Sequence, residues 1–320
     1  MARGTERRTV TVSIRHGYRP ALFVEMFKSP IMIEVSATAE VSGGSNICVI
    51  SLHEDKGDTI KLDDNAILRG KACSVFSNST DPHGIVVNGL ASIDSAFICS
   101  AGGYDGPIAA FDPAPVTDCP RRDDPLKDFP EPATGPCDHT DLQLPDYRGR
   151  LSPGVYCGGL VVDGTSNIDF APGIYVMKDG EFQVKGSSRV SGEGTGFFFT
   201  GAGSRAMFED KVNVSLSAPV TGEMAGILFW RSKNATGHGA FEVKSNHVDR
   251  LVGTIYLPKS EFYVSVTEEV AEASAYTAII ADQIWLVGRS KLVLNTDYAA
   301  TPVPPPPGIA RAGEALRLRQ

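Results

Sequence analysis

Short apolar runs divided by polar, glycine-rich turns fill most of the chain. Between residues 151 and 201, five such runs alternate with Gly, Ser, Asn and Asp, and no helical period appears. The phrase Ser152-Pro-Gly-Val-Tyr156 returns 19 residues later as Ala171-Pro-Gly-Ile-Tyr175. A strand-and-turn unit that repeats after about 20 residues is typical of a solenoid made of strands. The pattern therefore predicts an all-β protein that folds as a right-handed parallel β-helix.

The N-terminal part of the chain follows a different pattern. Residues 9–14 and 31–41 alternate apolar and polar positions with period two, as strands with one wet face do. Between them, residues 20–28 begin with proline and place apolar side chains on one side, which predicts a short amphipathic helix. We therefore predict that residues 1–41 form a strand-helix-strand extension and that the β-helix occupies residues 42–300.

Two proline-rich stretches interrupt or end the repeat pattern. Residues 103–145 hold many prolines and acids and few apolar runs, and they are too long for an ordinary connection. We expect them to form an excursion from the β-helix that Cys119 and Cys137 pin in place. Residues 301–320 begin with TPVPPPP, which cannot pair in a sheet, and they end in a basic segment. The sequence predicts a proline-rich linker and a basic tail there.

The cysteines recur at intervals close to one predicted repeat. No Cys-x-x-Cys pair occurs among them, which argues against a zinc site and against thioredoxin-type chemistry. Equivalent positions on neighbouring parallel strands lie about 4.8 Å apart, within the reach of a disulfide. Six buried free thiols are the alternative, because unpaired cysteine is often a core residue. We predict three disulfides, Cys48–Cys73, Cys99–Cys119 and Cys137–Cys157.

The predicted disulfides indicate an oxidising compartment outside the cytoplasm. Residues 1–20 nevertheless lack the apolar core of a signal peptide, and no run in the chain has the length of a transmembrane helix. We expect the export signal to lie upstream of Met1, in a longer protein or ahead of a start codon that was placed too late. A reduced cytosolic protein and a truncated, non-functional remnant are the alternatives. The net charge of −8 argues against nucleic acid as a partner, since phosphate binding needs a basic face.

Acidic residues cluster at two places in the chain, where they could bind calcium or form the acid pair of a glycosidase. No calcium-loop pattern of the D-x-D-x-D-G type occurs, nor any G-G-x-G-x-D repeat. We therefore interpret the acids as solvated turn residues. They are Asp55, Asp58, Asp63 and Asp64 in the first group, and Asp118, Asp123, Asp124 and Asp128 in the second.

The histidines and serines show no catalytic pattern. H-E-x-x-H and Gly-x-Ser-x-Gly are both absent, and the two histidines that lie nearest in sequence, His238 and His247, are nine residues apart. We therefore predict no catalytic, cofactor-binding or metal-binding residue. Aromatic rings could bind glycans if they were exposed, although stacking in the core is the preferred interpretation. The candidate rings are Tyr147, Tyr156, Tyr175, Trp230, Tyr256, Tyr263 and Trp285.

A set of short phrases follows a distinctive order along the chain. They are IMIEVSATAEV at 31–41, LSPGVYCGGL at 151–160, APGIY at 171–175, APVTG at 218–222 and GTIYLP at 253–258. In this order they resemble the C-terminal domain of TadG-like proteins of the bacterial Flp (tight adherence) pilus-assembly system, over about residues 9 to 309.

This resemblance implies an extracytoplasmic domain that an N-terminal helix tethers to the inner membrane, with an accessory role in pilus biogenesis. The chain departs from the family pattern because it lacks the anchor and also lacks the D-x-S-x-S metal motif found in some relatives. The family pattern supplies no catalytic residue to carry over.

We predict a non-enzymatic, extracytoplasmic structural or accessory component of Flp pilus assembly or surface adhesion, in the periplasm or at the cell surface. Its expected partners are other pilus-assembly or envelope proteins and surface glycans, and it reaches the membrane only through the missing anchor. The alternative is a carbohydrate-active β-helix, either a polysaccharide lyase or a hydrolase. Three or more carboxylates that converge with an arginine in one groove would favour that alternative, whereas their scatter over separate turns would exclude it.

Overall fold

The computed structural model describes residues 8–18, 31–41, 46–209, 211–237 and 239–310. The chain divides into two compact units, Met1–Ser45 and Asn46–Gln320. The helix predicted over residues 20–28 and the basic tail after residue 310 lie outside the described residues. In the described ranges, no helix is long and apolar enough to cross a membrane.

An antiparallel strand pair forms the described part of the first unit. Strand β1 (Arg8–Tyr18) pairs with β2 (Ile31–Val41) over the full length of both. Both strands alternate β-branched and polar residues, which favours extended backbone. Several apolar side chains of the pair are exposed, among them Ile14 at 65% and Val35 at 61%. A two-stranded sheet is only marginally stable in water, so this pair gains little from its own burial.

The named strands of the second unit pair in parallel, and the helical elements among the described residues are two short 3₁₀ turns at Ile108–Ala110 and Tyr298–Ala300. Strands account for 54% of the structure and helices for 2%, so the prediction of an all-β protein is confirmed. The strands are β3 (Asn46–Ser51), β4 (Ile60–Leu62), β5 (Ile67–Ser77), β6 (Ile85–Val87), β7 (Ser92–Ser100), β8 (Tyr104–Asp105), β9 (Phe111–Asp112), β10 (His139–Pro145), β11 (Arg148–Leu151), β12 (Gly154–Asp163), β13 (Asn167–Phe170), β14 (Gly173–Lys178), β15 (Phe182–Val184), β16 (Arg189–Gly192), β17 (Thr195–Thr200), β18 (Ala206–Phe208), β19 (Asn213–Ser217), β20 (Ile227–Arg231), β21 (Phe241–Val243), β22 (His247–Val266), β23 (Glu269–Val270), β24 (Thr277–Gly288) and β25 (Lys291–Val293).

The main parallel sheet of the second unit closes into an eight-strand β-barrel, and further strands lie outside it. The predicted β-helix is therefore wrong. The repeat did predict parallel neighbours correctly, since Val155 pairs with Val176 and Val176 pairs with Phe198. The spacing of short strands does not show whether the resulting sheet stays open or closes, because the local alternation and the turns are the same in both.

The order of the strands in the sheet differs from their order in the chain. Hydrogen bonding runs from β10 to β25, continues from β25 into β3 and ends at β9. Strand β24 lies at the junction, because Ile280 pairs with Tyr256 of β22 and with Ile50 of β3. The backbone N–H of Ile47 also donates to the carbonyl of Ile309 at 2.9 Å. The first and last described segments of the second unit are therefore neighbours.

One large apolar cluster lies on the inner face of the sheet. Short strands such as β15 bury their first and last side chains and leave the middle one half-exposed, as alternation requires. Phe197 packs against four other rings, with centroid distances of 5.0 Å to Phe182, 5.2 Å to Phe170 and Tyr175, and 5.5 Å to Phe229. Each fully buried apolar side chain of this size contributes about 2 kcal/mol to folding.

A second apolar cluster uses the alternate side chains of the same strands. Successive pairings place nine of its members in one row across the sheet, which we call the outer row. All nine side chains are buried. They are Cys99, Phe76, Ile50, Ile280, Tyr256, Trp230, Phe198, Val176 and Val155.

Residues 113–138, which we call the strap, pack against this outer row. They form the middle of the excursion predicted at residues 103–145. Leu126 of the strap is 0% exposed and belongs to the second cluster. Phe129 meets Trp230 edge-on, with ring centroids 6.4 Å apart. The strap therefore covers apolar side chains that water would otherwise reach.

Polar contacts also hold the strap on the sheet. The hydroxyl of Tyr256 donates a hydrogen bond of 2.7 Å to the carboxylate of Asp124. The side chain of Asn78 exchanges two hydrogen bonds of 2.8 Å with the backbone of Arg122. The guanidinium of Arg122 lies 4.4 Å from the ring centroid of Phe76. The strap is thus an ordered part of the second unit.

The proline-rich segment after β25 packs on the second unit as well. Val303 and Ile309 are 3% and 0% exposed. The hydroxyl of Tyr276 donates to the carbonyl of Pro304 at 2.8 Å. Residues 301–310 therefore belong to the body of this unit, although the sequence predicts a linker for them.

Candidate functional site

Three disulfides join neighbouring segments of the second unit, Cys48–Cys73, Cys99–Cys119 and Cys137–Cys157. Their Cα atoms lie 5.4, 6.1 and 5.7 Å apart, within the ordinary range for a disulfide. These are the pairs that the cysteine spacing predicts. No cysteine is free among the described residues, so the alternative of six free thiols is wrong. The disulfides indicate an oxidising, extracytoplasmic location.

Two of these disulfides fasten the strap near its two ends. Cys119 is bonded to Cys99 in β7, and Cys137 is bonded to Cys157 in β12. Between these two strands the outer row crosses eight pairings, or about 38 Å at about 4.8 Å per strand. Residues 119–137 would span about 60 Å if fully extended. The strap is therefore long enough to cross the row and still contain turns.

The repeated phrase builds the same local structure twice. The hydroxyl of Tyr156 donates to the carbonyl of Ser152 at 2.7 Å, and that of Tyr175 donates to the carbonyl of Ala171 at 2.8 Å. Both tyrosines are 0% exposed, and burial raises the pKa of Tyr156 to about 12. Each tyrosine therefore closes the turn that its own Pro-Gly begins, and the phrase has a structural role.

The predicted turn acids and the two histidines that lie nearest in sequence do not assemble into a metal site among the described residues. Asp58, Asp64 and Asp118 have left-handed backbone, with φ of 57°, 63° and 56°, which Asp tolerates better than most residues. His247 is exposed at the start of β22, and His238 lies outside the described residues. Within the described part of the chain, no group of three or more His, Cys, Asp or Glu is placed to hold a metal ion.

The seven candidate aromatic rings divide into a buried set and an accessible set. Stacking in the core is the correct interpretation for the buried set, whose members are all 0% exposed. These are Tyr156, Tyr175, Trp230 and Tyr256. The accessible set is Tyr147, Tyr263 and Trp285. Tyr263 and Trp285 are neighbours, with ring centroids 5.4 Å apart, and Trp285 lines a groove.

The groove around Trp285 has a volume of about 470 Å³, and we call it the Trp285 groove. Strand alternation positions its side chains. In β4 and β24 the residues on either side of Lys61 and Trp285 are buried in the core, so these two side chains point outward. The groove is also lined by Lys56, Asp58, Asp81, His83, Glu261 and Gln283.

Three contacts fix the indole ring of Trp285. Its Nε1 donates a hydrogen bond of 2.7 Å to a carboxylate oxygen of Asp63. The ammonium of Lys61 lies 5.0 Å from the ring centroid, and the ring of Tyr263 meets the indole edge-on. Strand register accounts for this arrangement, because Lys61, Trp285 and Tyr263 lie opposite one another on three adjacent strands. The ring is therefore held in one orientation.

Polar side chains of the groove are also oriented by contacts with one another. The ammonium of Lys56 donates to Oε1 of Gln283 at 2.8 Å. Nδ1 of His83 lies 3.4 Å from a carboxylate oxygen of Asp81. The groove thus presents cationic, anionic and amide groups within a small area.

Glu261 differs from the other polar residues of the groove. It is half-buried opposite Gln283 in the pairing of β22 with β24, and its carboxylate forms no hydrogen bond or ion pair with another described residue. Burial raises the pKa of this carboxyl, and Glu242 adds to the rise, whereas Lys56 and Lys61 oppose it. In its ionised form this carboxyl accepts hydrogen bonds, and in its protonated form it can also donate one.

The combination of carboxylates and arginine expected for a lyase is not present in this groove. Among the described residues that line it, three are carboxylates and two are lysines, and none is arginine. Arg205 instead pairs with Glu181 at 2.6 Å and with Glu242 at 3.5 Å. The groove therefore supplies aromatic and mixed polar contacts without the convergent set that would favour the lyase alternative.

Trp285, Tyr263 and Asp58 were candidates from the sequence, whereas Glu261 and Gln283 were not. The period-two pattern around β22 and β24 marks both residues as outward-facing, and this is the signal that was available. The same pattern could not place Glu261 and Gln283 beside Asp58. Their proximity comes from the pairing of the first strands of the unit with the last ones, which lie far apart in the sequence.

No protein-family model, curated protein or solved structure matches the chain. The resemblance to TadG-like proteins therefore stays a prediction, and inferences about function rest on the residues of the second unit.

Proposed function

We propose that this chain is the exported, non-enzymatic structural domain of a cell-envelope assembly protein. One observation carries the proposal: the strap crosses the outer row of the sheet and is disulfide-bonded near both ends. Such a cross-linked body suits a component that must keep its shape outside the cytoplasm, where disulfides persist.

The strap disulfides contribute substantially to that persistence. Each one joins cysteines 20 residues apart. In the loop-entropy model a cross-link of this length stabilises the folded state by about 3 kcal/mol. A typical domain is stable by only about 5–15 kcal/mol. The two bonds therefore favour a lasting structural role over one that needs a mobile strap.

More specifically, we propose an accessory role in Flp pilus assembly, which is the role that the resemblance to TadG-like proteins implies. The phrases that support it serve the fold, since Tyr156 and Tyr175 of the repeated phrase close turns and GTIYLP at 253–258 lies within β22. Among the described residues that line the Trp285 groove, none belongs to these phrases, which suits an accessory role. The expected partners are other envelope proteins, in the periplasm or at the cell surface, with tethering by an upstream anchor.

Fractionation of bacteria that carry the gene with its upstream reading frame tests this proposal. We expect the domain in the periplasmic or surface fraction, with Cys137 joined to Cys157 in non-reducing peptide maps. Deletion of the gene should lower the number of Flp pili counted by electron microscopy, and the intact gene should restore it. Recovery of the domain from the cytosol with free thiols, or unchanged piliation after deletion, would contradict the proposal.

A glycoside hydrolase is the second candidate function, and Glu261 is the observation that favours it. Glycosidases use two carboxyl groups, one of which acts as a general acid with a raised pKa. Burial raises the pKa of Glu261, and Asp58 and Asp81 line the same groove. Release of reducing ends from a polysaccharide by the purified protein, together with its loss in Glu261→Gln, would favour this candidate over the non-enzymatic role.

A further inference from the structure

We propose that the Trp285 groove is a binding site for an uncharged oligosaccharide. This site goes beyond the structural role proposed for the chain, and it depends on none of the strap residues. Failure of one proposal therefore leaves the other intact.

The oriented indole supplies the apolar part of such a site. Sugars bind aromatic side chains through their C–H groups, while their hydroxyls form hydrogen bonds with surrounding polar residues. The indole of Trp285 is hydrogen-bonded to the carboxylate of Asp63 and lies between Lys61 and Tyr263. Because these contacts set the orientation of the ring before binding, little side-chain entropy is lost when a sugar contacts it.

The polar lining supplies the partners that sugar hydroxyls require. Lys56 and Gln283 form a donor–acceptor pair, and His83 lies against Asp81, so each pair is oriented yet has further hydrogen-bonding capacity. Glu261 is half-buried and has no hydrogen-bond partner among the described residues. A carboxyl group in that position can bond to a ligand hydroxyl without first losing a hydrogen bond to another side chain.

The mixture of charges favours a neutral ligand. An acidic polysaccharide would bring carboxylates towards Asp58, Asp81 and Glu261, whereas a polycation would approach Lys56 and Lys61. Neither sign therefore gains a clear electrostatic advantage in the groove. Hydroxyl groups, in contrast, can bond to both ammonium and carboxylate groups.

Side chains beyond the groove extend the site along the sheet. Tyr263 lies opposite Glu242, Glu242 lies opposite Met207, and Met207 lies opposite Gln183, all half-exposed on successive strands. Adjacent strands are about 4.8 Å apart, which is close to the length of one sugar unit in a glycan chain. This spacing favours a ligand of several sugar units over a monosaccharide.

Affinity electrophoresis of the full chain tests the proposal. Native gels would contain hydroxyethylcellulose, laminarin or galactomannan as neutral polymers, and polygalacturonate as the acidic one. We expect at least one neutral polymer to retard the protein and polygalacturonate to have no effect. Titration calorimetry with a hexasaccharide of the retarding polymer then gives the affinity.

Variants locate the site. Trp285→Ala and Glu261→Ala should each weaken the hexasaccharide affinity by about tenfold or more, the change that corresponds to about 1.4 kcal/mol of lost contact. Tyr147→Ala removes an accessible ring outside the groove and should leave the affinity unchanged. Thermal unfolding would show that each variant is folded, and Glu261→Ala keeps the test valid if Trp285→Ala does not fold.

Three results would overturn the proposal. They are the absence of retardation by every neutral polymer, retardation by polygalacturonate as strong as by the neutral polymers, and equal loss of affinity in Tyr147→Ala and Glu261→Ala.

Discussion

Among the described residues, Arg231 is the one charged side chain that is buried, with 1% exposure. Its Nε donates to the carbonyl of Ser204 and its Nη1 donates to the hydroxyl of Ser260. Its Nη2 donates to the carbonyls of Thr236 and Gly237. Neutral acceptors therefore satisfy this guanidinium, and burial lowers its pKa. The side chain fixes the loop after β20 to the sheet.

Replacement of Arg231 by methionine should lower the free energy of unfolding by about 3 kcal/mol, because it leaves the buried carbonyl of Ser204 and the buried hydroxyl of Ser260 without this donor. Urea unfolding monitored by circular dichroism measures this loss. Arg231→Lys should recover little, since an ammonium lacks the planar fork that reaches these acceptors. Arg150→Met removes an exposed ion pair with Asp169 and should cost less than about 1 kcal/mol. A loss this small for Arg231→Met would contradict the assigned role.

Buried tyrosines predict a decline in stability at alkaline pH. Burial raises the pKa of Tyr156 and Tyr298 to about 12, whereas an unfolded tyrosine ionises near pH 10. The unfolded state therefore loses protons first, so stability is complete below about pH 10 and falls as the pH rises towards about 12. Urea unfolding at a series of pH values measures this fall.

Two phenylalanine variants test which tyrosines cause the alkaline effect. Tyr298→Phe keeps the ring contact with Tyr276 and removes a buried hydroxyl that has no hydrogen-bond partner. It should make the stability fall less steeply with pH, and it should not destabilise the protein at neutral pH. Tyr147→Phe removes the hydroxyl of an accessible ring and is the matched control for the substitution itself. Identical profiles for Tyr298→Phe and the wild type would contradict the assignment.

The contacts of a single residue were predictable from the sequence where the spacing of neighbouring strands alone determines them. The interval between Cys137 and Cys157 matches one repeat of short parallel strands, and the bond between them follows from strand spacing. Burial was harder to predict, because Tyr256 and Tyr263 share one strand and both point away from the inner cluster, to which their flanking residues belong. Which of these outward side chains is covered depends on the strap, and the strap lies elsewhere in the sequence.

The strap is the element whose removal would change the surface of the molecule most directly. Substitution of both Cys137 and Cys157 by serine should lower stability by about 3 kcal/mol and expose the strap to proteases. Limited proteolysis followed by mass spectrometry maps the cleavage sites. The matched control is the Cys48→Ser/Cys73→Ser variant, which should lose similar stability without new cleavage in residues 113–138. Equal cleavage in the two variants would show that the strap is not held by its own disulfide.

The sequence predicted that the excursion is pinned by Cys119 and Cys137, and the disulfides of both residues agree with this. It did not predict that the excursion covers a row of apolar side chains. The strap has few apolar residues of its own, and Leu126 and Phe129 make the principal apolar contacts. Two such residues in a proline-rich stretch form no periodic pattern, so the packing could not be deduced.

At the scale of the whole molecule, the second unit should tolerate circular permutation. Its first and last described segments meet at the hydrogen bond between Ile47 and Ile309. A short linker from residue 310 to residue 46, with new termini in the exposed part of the strap between Thr134 and Gly135, preserves every strand pairing. We expect a folded protein with three disulfides and a near-ultraviolet circular dichroism spectrum like that of the parent.

The parent for comparison is residues 46–310 in the original order. An aggregated or unstructured permutant beside a folded parent would contradict the strand order described for this unit. Equal urea midpoints for the two proteins would support it, because the same contacts form in both.

The overall architecture was only partly predictable. Strand content and parallel neighbours follow from local alternation, which the repeated phrases at Tyr156 and Tyr175 made visible. The joining of the earliest strands to the latest ones is a long-range property, because it requires the strand at Ile50 to pair beside Ile280. Nothing in either segment specifies the other, since both are short runs of buried aliphatic residues.

The position of the earliest strands beside the latest ones has a consequence for biosynthesis. Ile50 emerges 230 residues before its partner Ile280, so strands β3 to β9 have an unpaired edge until nearly the whole chain is available. Unpaired edges bind other chains, and distant pairings form slowly. Strands β3 to β9 are therefore the part of the nascent protein that most needs to be bound by a chaperone during export. The circular permutant, whose strands follow one another in the order of the sheet, should refold faster than the parent.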